Sequence, residues 1–398
     1  MPVIYMDHSA TTPVSERALA AMLPYFREEF GNPSAVYGYG QTAKNTLEKC
    51  RERMAKALGA FRSEIYFTSG GTESDNLVIR SIAAMKRDKG RHMITGMIEH
   101  NAVRRTFEAL EKEGYSVTYL QPDPMGRITP EQLAQAIRED TILISIMMAN
   151  NVVGTVLPIK ELAMTARKRH VLFHTDAVQA VGHIPVNVHE LGVDFLSLSA
   201  HKFHGPKGVG AVYCRIPNRL LPMQTGGGQE KEVRSGTENI PGIVGMTEAL
   251  EEAVENLEAS TGYLTGLRDH ITRELCAVPG VHRTGDPENR LPGFCSFIVE
   301  DIHHSVFLVN ALNERGICVS SGSACSASSR EASHVLLALG YDQEMSGEAL
   351  RITLDTENTR EEAEYLISSV KECIALVRAR EKKKEGTLEG SVRKAAGR

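Results

Sequence analysis

At 398 residues and 42% hydrophobic content, the chain is long enough for two domains, or for one large α/β domain with an appendage. A formal net charge of -5 argues against a nucleic-acid-binding protein, which would carry a basic excess. No apolar run reaches transmembrane length, and the start Met-Pro-Val-Ile-Tyr-Met-Asp lacks the basic and apolar parts of a signal peptide, so the expected location is the cytoplasm with no membrane partner.

In chain order, residues 3–7 read as a brief strand followed by a polar loop. Helical periodicity from Ser15, a good N-cap, to about Phe30 is broken by Gly31-Asn32-Pro33-Ser34. A long helix is predicted over 38–58. The run Ile65 to Thr68 is a strand, Gly70-Gly71 a tight turn, and Thr72 to Ile82 a helix. Strand, glycine turn and helix N-terminus together make a phosphate cradle, because free N–H groups and the helix dipole favour an anion. The spacing fits neither a P-loop nor Gly-x-Gly-x-x-Gly.

Strands over 92–95, 116–120, 141–148, 171–175, 193–198 and 210–214 follow, interleaved with helices over 102–113, 129–138 and 159–169. This rhythm predicts an α/β fold with a largely parallel sheet. Helices over 246–257 and 264–275 then lead to a second domain, from about Val281 to Lys371, with strands near 296–299, 317–320 and 350–354. The lysine-, arginine- and glutamate-rich stretch 380–398 has little to bury and reads as a disordered tail. The seven cysteines are scattered without a Cys-x-x-Cys pair, which points away from disulfides and from a metal site.

Ligands of such sheets sit beyond the carboxyl ends of the strands. Those ends carry Thr72, Glu99-His100-Asn101, Asn150-Asn151, Asp176 with Gln179, and Ser199-Ala-His201-Lys202. A lysine just past a buried strand is partly desolvated, which favours the free amine and carbonyl chemistry. A lysine-linked pyridoxal phosphate needs an amine, a phosphate anchor, a carboxylate for the ring nitrogen and groups that orient the ring. Lys202, Thr72 with Gly71, Asp176, and Gln179 with Asn151 can fill those tasks, with Ser199 and His201 assisting at the phosphate. His100 can stack on the ring or cap a helix.

These stretches, with Met6-Asp-His-Ser-Ala-Thr-Thr-Pro, Phe30-Gly-Asn-Pro-Ser, Gly226-Gly-Gly-Gln, Arg234-Ser-Gly-Thr-Glu-Asn and Ser320-Ser-Gly-Ser-Ala-Cys325, resemble the cysteine desulfurases of the NifS/IscS type. The resemblance runs from Tyr5 to about Arg351. It implies a fold-type-I pyridoxal-phosphate transferase with a seven-stranded large domain (15–260) and a smaller α+β domain (1–14 with 261–379). It implies that Lys202 carries the cofactor and removes the substrate Cα proton, and that His100 assists. It further implies that Asp176, Gln179, Asn151, Thr72, Ser199 and His201 hold the cofactor.

By the same resemblance, Thr237 reaches the phosphate in the other subunit of a homodimer, and Arg351 with Asn32 binds the carboxylate of L-cysteine. Cys325, in a loop whose small residues predict mobility, takes the sulfur as a persulfide for an acceptor or iron–sulfur scaffold protein. Related readings are a selenocysteine lyase or other β-eliminating lyase, and a partner-dependent assembly platform. The chain departs from the family pattern at Val152, Val178, Ala200, Tyr37-Gly38 and Asp355. Strand alternation places Arg351, Thr353 and Asp355 on one face, so Asp355 either engages Arg351 or turns to solvent.

Overall fold

The computed structural model describes residues 3–216, 219–302, 304–322 and 333–396, with side chains as far as 380. Its strands are β1 (Ile4–Tyr5), β2 (Ile65–Thr68), β3 (His92–Gly96), β4 (Ser116–Leu120), β5 (Thr141–Ser145), β6 (Leu172–Asp176), β7 (Phe195–Ser199), β8 (Gly210–Cys214), β9 (Val281–Arg283), β10 (Phe294–Val299), β11 (Ile317–Cys318) and β12 (Ala349–Thr353). Seven of them form one sheet in the order β2-β8-β7-β6-β5-β3-β4. Only β8 runs against its neighbours, so β2 and β3 to β7 all end on the same edge.

Both faces of this sheet are covered, so β3, β5, β7 and β8 are buried along their whole length. Successive residues bury in opposite layers. Ile144 and Leu196 join Leu47 and Met54 of the long helix Gly38–Leu58. Leu143 and Phe195 join Leu77, Val78 and Phe107 on the other side.

A second apolar cluster surrounds the antiparallel sheet β12-β10-β9, where Phe297, Leu350 and Ile352 meet Ile271, Leu366 and Val370. The first strand pairs in parallel with β11 (Ile4 with Ile317), and Asp7 bridges Thr353. The N-terminal segment therefore belongs structurally to the part built late in the chain. Residues 7–13 leave it and run back to the edge of the large sheet.

Local chemistry explains where elements stop. Ser15 caps the first helix through its Oγ, which accepts from the Ala18 N–H at 3.1 Å. The helix expected to reach Phe30 divides into Glu16–Met22 and Pro24–Arg27, because Pro24 has no N–H to continue the ladder. The helix Ile240–Glu255 begins earlier than its apolar pattern, with Asn239 Oδ1 capping Gly242 N–H at 3.1 Å. The last helix runs Arg360–Ala396, so the backbone of the stretch read as a disordered tail is helical up to Ala396. Its Lys, Glu, Arg and Ala residues are strong helix formers.

Candidate active site

Five loops leave the carboxyl edge of the large sheet, and a cavity of about 460 Å³ opens among them. After β2, Gly70 adopts φ 146°, a conformation that side chains rarely tolerate, and starts the helix Gly71–Lys86 without a capping side chain. Gly71 and Thr72 of its first turn line the cavity together with Ser199 and His201. A Cβ on Gly71 would come within 2.7 Å of Val178 Cγ2, so glycine lets the helix end approach the loop after β6.

After β3, the His100 ring caps the helix Asn101–Lys112, with Nδ1 accepting from Ala102 N–H at 3.1 Å. The capping role and the cavity-facing role thus coincide in one residue. Burial lowers its pKa, and the accepted hydrogen bond leaves the proton of the neutral ring on Nε2. After β5, Asn151 lines the cavity and its backbone carbonyl accepts from Arg351 Nη1 at 2.9 Å.

Strand β6 ends at Asp176, which is 5% exposed and accepts from Val178 N–H at 2.9 Å. Burial raises its pKa, opposed by the nearby His100 and Lys202. Two more carboxyls, Asp75 and Glu99, are buried close by, and burial pushes both well above the carboxylate range. Of the three, Asp176 is the one that faces the cationic groups His100 and Lys202. Behind them His174 bridges Ser145 Oγ at 2.8 Å and Ser197 Oγ at 3.0 Å, with its pKa pushed down to about 3 by burial.

After β7, Lys202 reaches the cavity with Nζ donating to the carbonyls of Ser9 and Ala10, the latter at 2.9 Å. Gln179 Nε2 donates to Ser9 O at 3.0 Å. Burial and the charges of Lys202 and Lys207 push the His201 pKa down to about 4, and its Nδ1 meets Thr11 Oγ1 at 3.1 Å. The opposite wall carries Arg351 of β12, 1% exposed, whose Nη2 donates to Asp7 Oδ1 at 2.8 Å. Its Nε is buried with no hydrogen-bond partner among the described residues.

The fit to pyridoxal phosphate can be judged on these groups. An uncapped helix end suits the phosphate, and a buried carboxylate wanting a cation suits a protonated ring nitrogen. Lys202 supplies the amine. Gly71, Thr72, His100, Asn151, Asp176, Gln179, Ser199, His201, Lys202 and Arg351 all line this one cavity. The residues present fit the group.

Two expected residues are not there. Asn32 is exposed, outside the cavity lining, and its Oδ1 accepts from Ser34 N–H at 2.9 Å. The tight turn it occupies leaves a Cβ on Gly31 only 2.2 Å from Tyr39 O, so that turn closes on the chain's own helix instead of reaching the site. Thr237 is likewise exposed and away from this chain's cavity. Cys325 lies outside the described residues. The described segment after it, Ser333 to Val335, lines the cavity.

Asp355 takes neither of its expected positions. Strand β12 stops at Thr353, so alternation fails two residues later. Asp355 is buried with Oδ2 accepting from His204 Nε2 at 2.8 Å, while Arg351 pairs with Asp7. Sequence reasoning missed Asp75, Arg104 and Arg105 in the cavity wall. The available signal was helical spacing, since each lies four or five residues after a turn that opens on the site.

A family model for aminotransferase class-V matches residues 4–366. The chain belongs to the aminotransferase class-V family. Among its class-V relatives is the cysteine desulfurase IscS of Methanosarcina thermophila, 48% identical over 94% of this chain and 93% of that protein. The IscS of Dictyoglomus turgidum is 46% identical over 94% and 95% of the two chains. A solved NifS-like protein superposes with a TM-score of 0.89 at 40% identity, covering 94% of this chain and all (100%) of that one. The structure of SspA in complex with cysteine gives a TM-score of 0.79 at 37% identity, covering 89% and 100%. Among the described residues no helix is long and apolar enough to cross a membrane, and no cluster of potential metal ligands occurs.

Proposed function

We propose that this class-V protein is a pyridoxal-phosphate-dependent cysteine desulfurase, converting L-cysteine to L-alanine and leaving the sulfur as a persulfide on Cys325. The observation that carries the reading is the convergence of Lys202, Asp176, His100 and Arg351 on one cavity. Cysteine desulfurase relatives at 48% and 46% identity support the choice of reaction. When bound, pyridoxal phosphate supplies the sink for the electron pair left at the substrate Cα.

The chain's own residues supply the rest. The helix end at Gly71, with Thr72, Ser199 and His201, holds the phosphate. Asp176 keeps the ring nitrogen charged, and Asn151 and Gln179 orient the ring oxygen. Lys202 Nζ holds the cofactor and takes the Cα proton, while His100, neutral at neutral pH, passes protons at the ring face. The Arg351 guanidinium receives the substrate carboxylate. The Cys325 thiolate attacks the substrate sulfur; a sulfur–sulfur bond forms, the carbon–sulfur bond breaks, and its electron pair stays with the carbon skeleton that becomes alanine.

The reading includes a homodimer in which Thr237, outward in each chain, reaches the partner's phosphate. It divides the chain into a cofactor-binding part, 15–260, and a smaller part made of 1–14 and 261–379. It gives the sulfur to an acceptor such as an iron–sulfur scaffold protein, in the cytoplasm. The six described cysteines are all free thiols, in keeping with a reducing compartment.

Supplied with L-cysteine and a thiol, the cofactor-loaded chain should form alanine in step with sulfide, and protein persulfide should map to Cys325. Cys325→Ala should lose the persulfide and slow alanine formation by about 1,000-fold or more, as removal of a covalent nucleophile does, while keeping its cofactor. Unchanged sulfide release by that variant would overturn the assignment. Turnover of selenocysteine alone would identify a lyase instead.

A further inference from the structure

The loop that carries Lys202 is zipped to the N-terminal segment 8–13. Thr12 N–H and Oγ1 both donate to His201 O, at 3.0 and 3.1 Å. His204 N–H donates to Thr12 Oγ1 at 2.9 Å, and Ser15 N–H to His204 O at 2.9 Å. Lys202 Nζ itself donates to Ser9 and Ala10 carbonyls in that segment. His204 holds φ 63°, a left-handed conformation that a histidine adopts only when its surroundings fix it.

What fixes it lies on the side away from the cofactor cavity. His204 Nε2 meets Asp355 Oδ2 at 2.8 Å and Nδ1 meets Pro13 O at 3.1 Å. A carbonyl and a carboxylate can only accept, so both bonds form together when both ring nitrogens carry protons. Asp355 lies two residues past the strand that carries Arg351, and its loop is tied to the N-terminal strand by Asn358 Nδ2 donating to Tyr5 O at 3.0 Å. His204 and Asp355 also line a separate open groove with Glu252, Tyr263 and Glu357, so the bridge meets solvent without passing through the active site.

We propose that Asp355 is a positioning residue for Lys202: through a doubly hydrogen-bonded His204 it pins loop 200–205 beneath segment 8–13 and ties Lys202 to the strand bearing Arg351. This rests on the reading of Lys202 as the cofactor-bearing lysine.

The surrounding charges agree. His204 is faced by His8 from the N-terminal segment, its ring centroid 6.5 Å away, by Asp355 and Glu357 after β12, and by Glu252 of the helix Ile240–Glu255, which accepts from Ser15 Oγ. His183 faces Asp355 and meets Lys202 O at 2.8 Å. Burial lowers the pKa values of His8 and His183, leaving both neutral. Burial also works against the His204 cation, but the Asp355 hydrogen bond and charge outweigh it and raise its pKa. The same bond holds Asp355 far below the carboxylate range.

The sign follows from these directions. The His204 contribution is complete below the ordinary histidine range and is lost as pH rises through its raised value. The Asp355 contribution is lost only in strong acid. The bridge therefore opens on the alkaline side.

The test compares the full-length wild type with Asp355→Asn, Asp355→Glu and His204→Asn, since asparagine tolerates the left-handed backbone. Without cofactor, amide hydrogen exchange of segments 8–13 and 200–205 should be about tenfold faster or more in Asp355→Asn and His204→Asn, the loss expected for a charge-assisted bond. With pyridoxal phosphate, the rate of borohydride-trappable capture at Lys202 should show an alkaline break in the wild type. Asp355→Asn should lose that break, and Asp355→Glu should restore it in part. Wild-type exchange and a wild-type pH profile in Asp355→Asn and His204→Asn would overturn the proposal. A wild type that captures no pyridoxal phosphate at Lys202 would instead refute the proposed function, and the exchange data would still decide the bridge.

Discussion

Replacing Arg351 by alanine should raise the KM for L-cysteine by about 100-fold, the loss of two charge-assisted hydrogen bonds of roughly 1.5 kcal/mol each. Arg351 is a fully buried cation whose Nη1 and Nη2 donate to Asn151 O and Asp7, with Nε lacking a partner among the described residues. A substrate carboxylate would complete that set, and only a planar fork can serve all these groups together. Arg351→Lys should therefore recover a small part of the loss.

The same arginine also ties the N-terminal segment to β12. Removing it leaves Asp7 without its cation, and stability should fall by about 1–3 kcal/mol. Asp7→Asn separates the two tasks: it should lower the melting temperature with a smaller change in KM. Equal KM values for wild type and Arg351→Ala would show that the arginine is only a structural tie.

Asp176→Asn should reduce turnover by about 100- to 1,000-fold, the range seen when a preorganised electrostatic partner is lost. Asparagine keeps the shape and can still accept from Val178 N–H, so the fold is preserved. What is lost is the charge that holds a proton on the ring nitrogen.

Without cofactor the sign reverses. The Asp176 pKa is raised by burial, so the folded chain binds more protons than the unfolded one above the ordinary carboxylate range, and stability falls as pH rises through that window. Asp176→Asn should then be more stable than wild type at neutral pH in the cofactor-free form. Pyridoxal phosphate should stabilise the wild type more than the variant. Thermal melts of both proteins, with and without pyridoxal phosphate, check both signs.

The site was legible in sequence wherever it is built from strand ends. A parallel sheet sends every such end to one edge, so Thr72, His100, Asn151, Asp176 and Lys202 could be grouped from local pattern alone. Contacts between distant segments were not legible. Asp7 and Arg351 are 344 residues apart, and nothing in either stretch announces the other. Asp355 was misplaced because alternation was extended past the end of β12, where the backbone turns and the side chain finds His204. Asn32 was assigned from its motif, yet in this chain its side chain is spent on its own turn.

The measurement closest to the centre of this account is borohydride reduction of the chain in the presence of pyridoxal phosphate, followed by peptide mass mapping. One stoichiometric pyridoxyl adduct should form on Lys202 and be absent from Lys202→Ala. An adduct on another lysine, or no stable adduct at any, would contradict it.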